Sequence, residues 1–424
     1  MTDPNELKTF KTALLLGIHL RSDERDECET SLEELERLAD TYGLETVDKV
    51  PIMLKKIISA TLIGKGKLQE LLALCEEYKI DVVIFDEEIS PHQQKNLEKL
   101  FKRPVLDRTE LILEVFNKHA QTKEARLQIE LAKIRYTMPR LKRMWTHLSR
   151  QVAGGGGFLK GAGEKQIELD RRMLGHRMAR LQKEIDAVRA HREIQRGARR
   201  RRQIPTFAIV GYTNAGKSTL LNALTSADIL VEDKLFATLD TTTRKYTLPN
   251  NQEILLIDTV GFIRKIPHTL IAAFKSTLEE TVYTDVLIHL VDASSSEALQ
   301  QGEATIQLLE DLGAGDIPKI TVLNKVDQVT DRTMLTKLRV AYPNTIQISA
   351  KEKRGLSDLL EQMIKAVEAL RKKVDLCIPQ SHYGLVSELM SSGHVISVEY
   401  EENNVLMEVE IPASLEHKVE RFIR

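Results

Sequence analysis

Residues 204–372 predict an α/β domain with a mostly parallel, doubly wound sheet. Three observations carry this. The runs TFAIVG, QEILLID, VLIHLVD, KITVLN and TIQIS have strand length and enough Val, Ile and Leu to be buried on both faces. Helical stretches separate them, the alternation that builds parallel sheets. A glycine-bearing loop joins the first run directly to a helix, TLLNALT.

Smaller parts flank this domain. Residues 1–115 alternate again and predict a small α/β domain. TALLLGIHL and DVVIFDEE read as strands, SLEELERLADTYG as a helix stopped by glycine, and SPHQQKNLEKLF as a helix capped by Ser90 with Pro91 at its first position. ISATLIGKGKLQELLALCEEYKI reads as strand, turn and helix, with Gly64-Lys65-Gly66-Lys67 a structural turn. Residues 116–203 read as a helical hairpin. One helical stretch runs from about Thr109 to Arg143, a glycine-rich loop follows at 154–164, and a second helix returns and ends in the linker-like RGARRRRQ. Residues 373–424 read as strand, helix, strand, strand, helix, a small α+β domain. There Ile396, Val398 and Tyr400, then Val405, Met407 and Val409, alternate about a turn at Asn403-Asn404.

Composition narrows the class. The chain has 424 residues, 42% hydrophobic and 29% charged, an ordinary balance for burying cores. Cys28, Cys75 and Cys377 match no metal spacing and fit a reducing compartment. No signal pattern or membrane-length apolar run occurs, so the expectation is a cytoplasmic chain without a membrane span, at most peripheral to a membrane in part. The net charge of −1 conceals segregation. From Lys118 to Arg202 there are 23 Lys and Arg against 8 Asp and Glu, an excess of 15 positive charges. Such asymmetry suits a partner dense in phosphates, RNA above all. Trp145 and His147 stand before the glycine-rich loop, where an aromatic either packs between helices or stacks on bases.

The chemistry lies in four ordered motifs. Gly211-Tyr212-Thr213-Asn214-Ala215-Gly216-Lys217-Ser218-Thr219 follows a strand and opens a helix, so backbone N–H groups and the helix N-terminus can hold phosphates. Lys217 is placed for the β- and γ-phosphates and Ser218 for Mg²⁺. Asp258-Thr259-Val260-Gly261 ends the next strand, with Asp258 toward the metal and the Gly261 N–H toward the γ-phosphate. Asn324-Lys325-Val326-Asp327 supplies a carboxylate that pairs with the donor edge of guanine, an edge adenine lacks. Ser349-Ala350-Lys351 closes over the base. Each motif sits at a strand's carboxyl end, where open α/β sheets take ligands. Together they predict a P-loop GTPase domain using GTP and releasing GDP. FATLDTTTR (236–244) is the candidate first switch, and spacing alone leaves Thr241, Thr242 and Thr243 open as its Mg²⁺ ligand. Phe262 stands where signalling GTPases carry a water-orienting Gln, so hydrolysis should wait for help. Asn214 either ligates a monovalent cation such as K⁺ beside the phosphates or bonds within its loop.

These motifs also support a resemblance. RTELILEVFNKHAQTKEARLQIELAKIRYTMPRLKRMWTHLSRQ, GGGG, GAGE and ELDRR, followed by GYTNAGKST, FATLD, DTVGF, NKVD and SAK, resemble the HflX family of ribosome-associated GTPases from about Ile63 to Gly355. The resemblance implies the domain order given above, binding to the large ribosomal subunit and its rRNA, and ribosome-stimulated hydrolysis. It also implies a role in splitting or rescuing stalled ribosomes under stress. It assigns the Mg²⁺ threonine to Thr242 and catalytic parts to Lys217, Thr242, Gly261 and Asn214. Two departures stand out. Thr241 replaces the family's proline, which frees φ in the switch, and Gly161-Ala162-Gly163-Glu164-Lys165 replaces Gly-Pro-Gly-Glu-Thr. Other readings are a GTPase of ribosome assembly or tRNA modification, and a nucleotide-gated RNA-binding module. The chain is expected to be a monomer in solution.

Overall fold

The computed structural model describes residues 10–141, 160–201, 204–225, 235–236, 242–265, 281–329, 332–392, 394–401, 403–412 and 415–424. The glycine run 154–157, Trp145, His147, Arg202, Thr241 and positions 237–240 of the first switch lie outside them. Contacts divide the chain into two units.

Unit 1 takes in residues 1–189 together with 231–240 and 263–277. Its sheet is parallel, in the order β2-β1-β3-β4: β1 is Thr12–His19, β2 Glu45–Met53, β3 Val82–Phe85 and β4 Val105–Asp107. β1 and β3 are nearly continuous apolar runs because helices cover both faces. Helix α1 (Arg25–Tyr42) ends on Gly43 in the left-handed region. Helix α2 is Lys65–Glu77, so the Gly-Lys-Gly-Lys run forms its N-cap and first turn. Helix α3 (Pro91–Phe101) has the expected cap, in which Ser90 accepts from the Gln93 N–H.

Two strands here escape a simple pattern reading. β2 carries ETVDKVPIM, a mostly half-exposed edge with little alternation, and β4 is only three residues long. Ile58 and Leu62 form an isolated bridge where a strand was expected. The long helix expected from Thr109 is broken. Helix α4 (Arg108–His119) stops at an extended Ala120, and α5 (Lys123–Thr137) starts under a Thr122 cap that accepts from the Ala125 N–H. Helix α6 spans Lys160–Arg201, so it takes in Gly161–Glu164 and most of the arginine run that reads as loop and linker. Leu181 and Ile185 of α6 pack on Leu127, Leu131 and Ile134 of α5, the hairpin core.

Arg108 is among the largest fully buried side chains, and its charge organises the carboxyl ends of β3 and β4. Its Nη1 donates to Asp86 Oδ1 at 2.7 Å and its Nη2 to Glu34 Oε2 at 2.6 Å. Ser31 Oγ donates to Asp86 Oδ2, and Lys265 Nζ bonds both Asp86 Oδ2 and Glu87 Oε1 at 2.6 Å. Burial pushes the Asp86 carboxyl upward, but Arg108 and Lys265 outweigh it and hold it below its usual range. Arg108 Nη2 also donates to the Arg264 carbonyl at 3.3 Å. Phe236 stands edge-on to Phe116 with centroids 4.5 Å apart.

Unit 2 takes in residues 190–230, 241–262 and 278–424. Its larger sheet has the order β10-β9-β8-β5-β7-β6. The strands are β5 (Thr206–Gly211), β6 (Thr242–Thr247), β7 (Glu253–Asp258), β8 (Val286–Asp292), β9 (Lys319–Asn324) and β10 (Ile346–Gln347). All neighbours are parallel except β6, an antiparallel edge that its polar sequence TTRKYT did not announce. Helices α7 (Lys217–Thr225), α8 (Ala298–Asp311), α9 (Arg332–Ala341) and α10 (Leu356–Ala369) complete the domain. Leu220, Leu221 and Leu224 of α7 and Leu359, Met363 and Val367 of α10 share one core with the strands.

The last part is an antiparallel sheet, β11 (Arg371–Pro379), β13 (Asn404–Pro412) and β12 (His394–Tyr400) in that order, with α11 (Tyr383–Ser392) and the short α12 (Glu416–Val419). Val405, Met407 and Val409 face the core as the alternation predicts. Ile396 and Tyr400 do not, being 44% and 59% exposed. A register shift between Val395 and Ser397 changes the phase at that point, so Val395 faces inward in place of Ile396, ahead of Val398. Glu401 and Asn404 exchange the closing hydrogen bonds, which puts the turn one residue before the Asn-Asn pair.

His289, in the middle of β8, is 1% exposed, stands edge-on to Tyr342, and neither ring nitrogen has a hydrogen-bond partner among the described residues. Burial lowers its pKa from 6.5 to about 4. The folded state therefore keeps the ring neutral, and stability is complete above the unfolded pKa and lost as pH falls toward 4. Urea unfolding of the domain at pH 7 and pH 4.5 should show His289→Leu losing about 2–3 kcal/mol less than the wild type over that interval. Equal losses would contradict the assignment.

Candidate guanine-nucleotide site

The carboxyl ends of β5, β7, β9 and β10 bring all four motifs together. After β5 the chain turns through Asn214, whose φ is +62°, and Gly216, at +94°, into α7. A side chain at Gly216 would meet the Asn324 amide at 2.4 Å, so this turn takes no larger residue. Asn324 is buried at the end of β9. Its Nδ2 donates to the Ala215 carbonyl at 2.8 Å, and its Oδ1 accepts from the Ala350 N–H at 3.0 Å. One amide thus clamps the phosphate loop to the loop after β10.

Lys217 lies buried in the mouth of the phosphate loop. Its Nζ donates to the carbonyls of Tyr212 at 2.8 Å and Gly211 at 3.2 Å. Burial depresses its pKa to about 8. Asp258 pulls it back up, and Lys325 adds to the depression. A polyphosphate beside this ammonium would favour its charged form. The loop after β7 closes the other side. Thr259 Oγ1 donates to the Ile209 carbonyl at 2.7 Å, the Thr213 N–H donates to the Phe262 carbonyl at 2.7 Å, and the Phe262 N–H donates to Gly211 at 3.2 Å. A Cβ on Gly261 would strike Thr213 at 2.7 Å and Lys217 Nζ at 2.9 Å, so Val260-Gly261 approaches the loop as only glycine allows. Phe262 is buried.

Hard oxygen donors gather beside Lys217. Ser218 Oγ donates to Asp258 Oδ2 at 2.8 Å, and Thr242 lies directly across from Asp258 in the β6–β7 register. Hydroxyl, carboxylate and a second hydroxyl fit Mg²⁺, which keeps several waters and takes few protein ligands. Thr243 occupies the next position on β6, across from Ile257, farther along the strand from the phosphate loop. Thr219 is the third residue of α7.

The residues expected to read the base also come together. Lys325 adopts a left-handed conformation and caps the turn that carries Asp327. A hydrogen bond from Ser349 holds the Asp327 carboxyl below its usual range, with Arg354 and Lys351 assisting. Asp327 Oδ1 nevertheless has no hydrogen-bond partner among the described residues, although shielded from solvent. An acceptor left over in this place is what the guanine N–H edge would complete. Sequence reading passed over Asp292. It ends β8 across from Asn324 and bonds Lys325 Nζ at 2.7 Å. An acid at the carboxyl end of a central strand is the signal that marks it.

Comparison with known proteins agrees with this geometry. Residues 29–117 match the family described as GTP-binding GTPase N-terminal, 119–199 its middle region, and 206–325 the family described as 50S ribosome-binding GTPase. GTPase HflX of Chlamydia pneumoniae is 48% identical over 99% of this chain and 90% of its own length. The chain belongs to the HflX GTPase family. GTPase HflX of Escherichia coli is 37% identical over 94% of this chain and 93% of that relative. Among solved structures, a GTP-binding protein from Sulfolobus solfataricus in complex with GDP is 28% identical, covering 85% of this chain and 99% of that one, with a TM-score of 0.45. The family membership makes the chain a GTP-hydrolysing enzyme.

Asp327→Asn exchanges an acceptor for a donor and should lower GTP affinity about 100-fold, roughly 3 kcal/mol, while improving xanthosine triphosphate. Competition binding with the two nucleotides checks this, and an unchanged preference would remove Asp327 from base recognition.

Proposed function

We propose that this GTPase acts on the large ribosomal subunit, binds its rRNA in the GTP form, and splits or rescues stalled ribosomes under stress. The observation that carries this reading is the charge on the hairpin. Arg171, Arg172, Arg177, Arg180 and Lys183 stand exposed along α6, outside the stripe that packs on α5. Arg177 pairs with Glu130 and Arg180 with Glu184, and acids are too few across residues 118–202 to balance the rest. A helix of this kind neutralises a row of phosphates and releases their counterions. The family description of residues 206–325 as a ribosome-binding GTPase points the same way. Among the described residues no helix is long and apolar enough to cross a membrane.

In the reaction, Lys217 leaves its backbone carbonyls for the β- and γ-phosphates. Gly261 brings its N–H to the γ-phosphate, Asp327 reads the base, and Asn324 keeps the loops in place. Ser218, Thr242 and Asp258 are the residues to hold Mg²⁺, which neutralises charge on the phosphates when bound. Phe262 has no group with which to orient water. The slow chemistry then depends on a group supplied by the particle, and the Asn214 amide oxygen is the group that would hold K⁺ as a further positive charge. Nothing in the geometry favours ribosome assembly or tRNA modification over this reading.

Turnover of GTP with and without purified large subunits tests it. Subunits should raise turnover at least tenfold, about 1.4 kcal/mol of barrier, and replacing KCl by NaCl should lower the stimulated rate. Stimulation below that level, or an equal response to small subunits alone, would contradict the proposal.

A further inference from the structure

We propose that Asp292 is a positioning residue for guanosine: it tethers the Lys325 ammonium and so fixes the Lys325 side chain before the nucleotide arrives. Asp292 belongs to none of the four nucleotide motifs. Its carboxylate is nevertheless fully engaged. Oδ1 accepts from the Ser294 N–H at 3.0 Å and from Ser294 Oγ at 2.6 Å, while Oδ2 meets Lys325 Nζ at 2.7 Å. Contacts on both oxygens lock the carboxylate rotamer, so the ammonium has a defined anchor. The backbone is equally constrained. The Ala293 N–H donates to the Asn324 carbonyl, and the Val326 N–H donates to the Ile348 carbonyl. The peptide groups flanking Lys325 are thereby held by the ends of β8 and β10, and its Nζ is held by the end of β8 again.

The position of this side chain matters to the nucleotide on two counts. Lys325 lies between Asn324, which clamps the phosphate loop, and the turn bearing Asp327. Its charge is also felt at Lys217 in the phosphate cradle. A long, flexible lysine in that place would have to lose its rotamer freedom when nucleotide binds. The Asp292 tether imposes that order in advance. It also neutralises a second cation that would otherwise compete with Lys217 for position. The plain alternative is a surface ion pair, since the two side chains are 15% and 22% exposed. A pair of that kind alters stability a little and nucleotide binding not at all.

The proposal rests on the guanine assignment of the site, and the experiment separates the two. Release of a fluorescent GDP analogue is followed by stopped flow from the full-length wild type, Asp292→Asn, Lys325→Met and the double variant, with thermal unfolding of each. Asp292→Asn keeps the shape and the Ser294 contacts, and Lys325→Met keeps the stem without the charge. Each single variant should speed release about five- to tenfold and raise KM for GTP with kcat within about twofold. The double variant should be no worse than either single one, because both cut the same tether. Asp292→Glu, which retains the charge, should recover part of the loss. Release within about twofold of wild type in Asp292→Asn, or additive effects in the double variant, overturns the positioning role and leaves the nucleotide site intact. Failure of the wild type to hold the GDP analogue overturns both.

Discussion

One buried amide decides whether this site exists. Asn324 spans from the carbonyl of Ala215 to the N–H of Ala350, and so joins the phosphate loop, the end of β9 and the loop after β10. Gly216 must lack a side chain because that amide occupies the space, and it must turn left-handed because the loop has to reach α7. Asp327 stands three residues beyond Asn324, and Ser349, its hydrogen-bond partner, immediately precedes Ala350. The residues expected to read the base and those expected to hold the phosphates are thus joined through one amide. Between them Lys217 bonds backbone carbonyls with a lowered pKa.

The loop after β7 is held by the same close packing. Phe262 is tied by its backbone to Gly211 and Thr213 and its side chain is buried. It anchors the Asp-Thr-Val-Gly loop and offers nothing to water. The residues after it, Ile263 to Lys265, group by their contacts with unit 1, as do Leu235 and Phe236. The chain therefore passes from one unit to the other just beside Gly261 and just before Thr242, the two positions expected to sense the γ-phosphate.

Much of this was legible in the sequence, for physical reasons. Buried parallel strands read as continuous apolar runs, and the phosphate loop declares itself by glycines between a strand and a helix. What was missed depends on distant partners. β6 is polar and forms because β7 offers it an open edge. The break between α4 and α5 needs only a capping Thr122, a weak signal in a helical pattern. The phase change in β12 follows from one irregular pairing with β13. No local feature marks Lys265 as the partner of Asp86, 179 positions away, or Asp292 as the anchor of Lys325. Pairings of that kind are products of folding, and pattern reading has no access to them.

The central claim is that phosphates take the place where Lys217 now rests. Calorimetric titration of GDP at pH 8.5, in buffers of different ionisation enthalpy, measures it most directly. With burial lowering its pKa to about 8, Lys217 should be largely neutral at that pH and become charged on binding. The account predicts uptake of roughly three-quarters of a proton per GDP. Binding that leaves the proton count unchanged at pH 8.5 would contradict it.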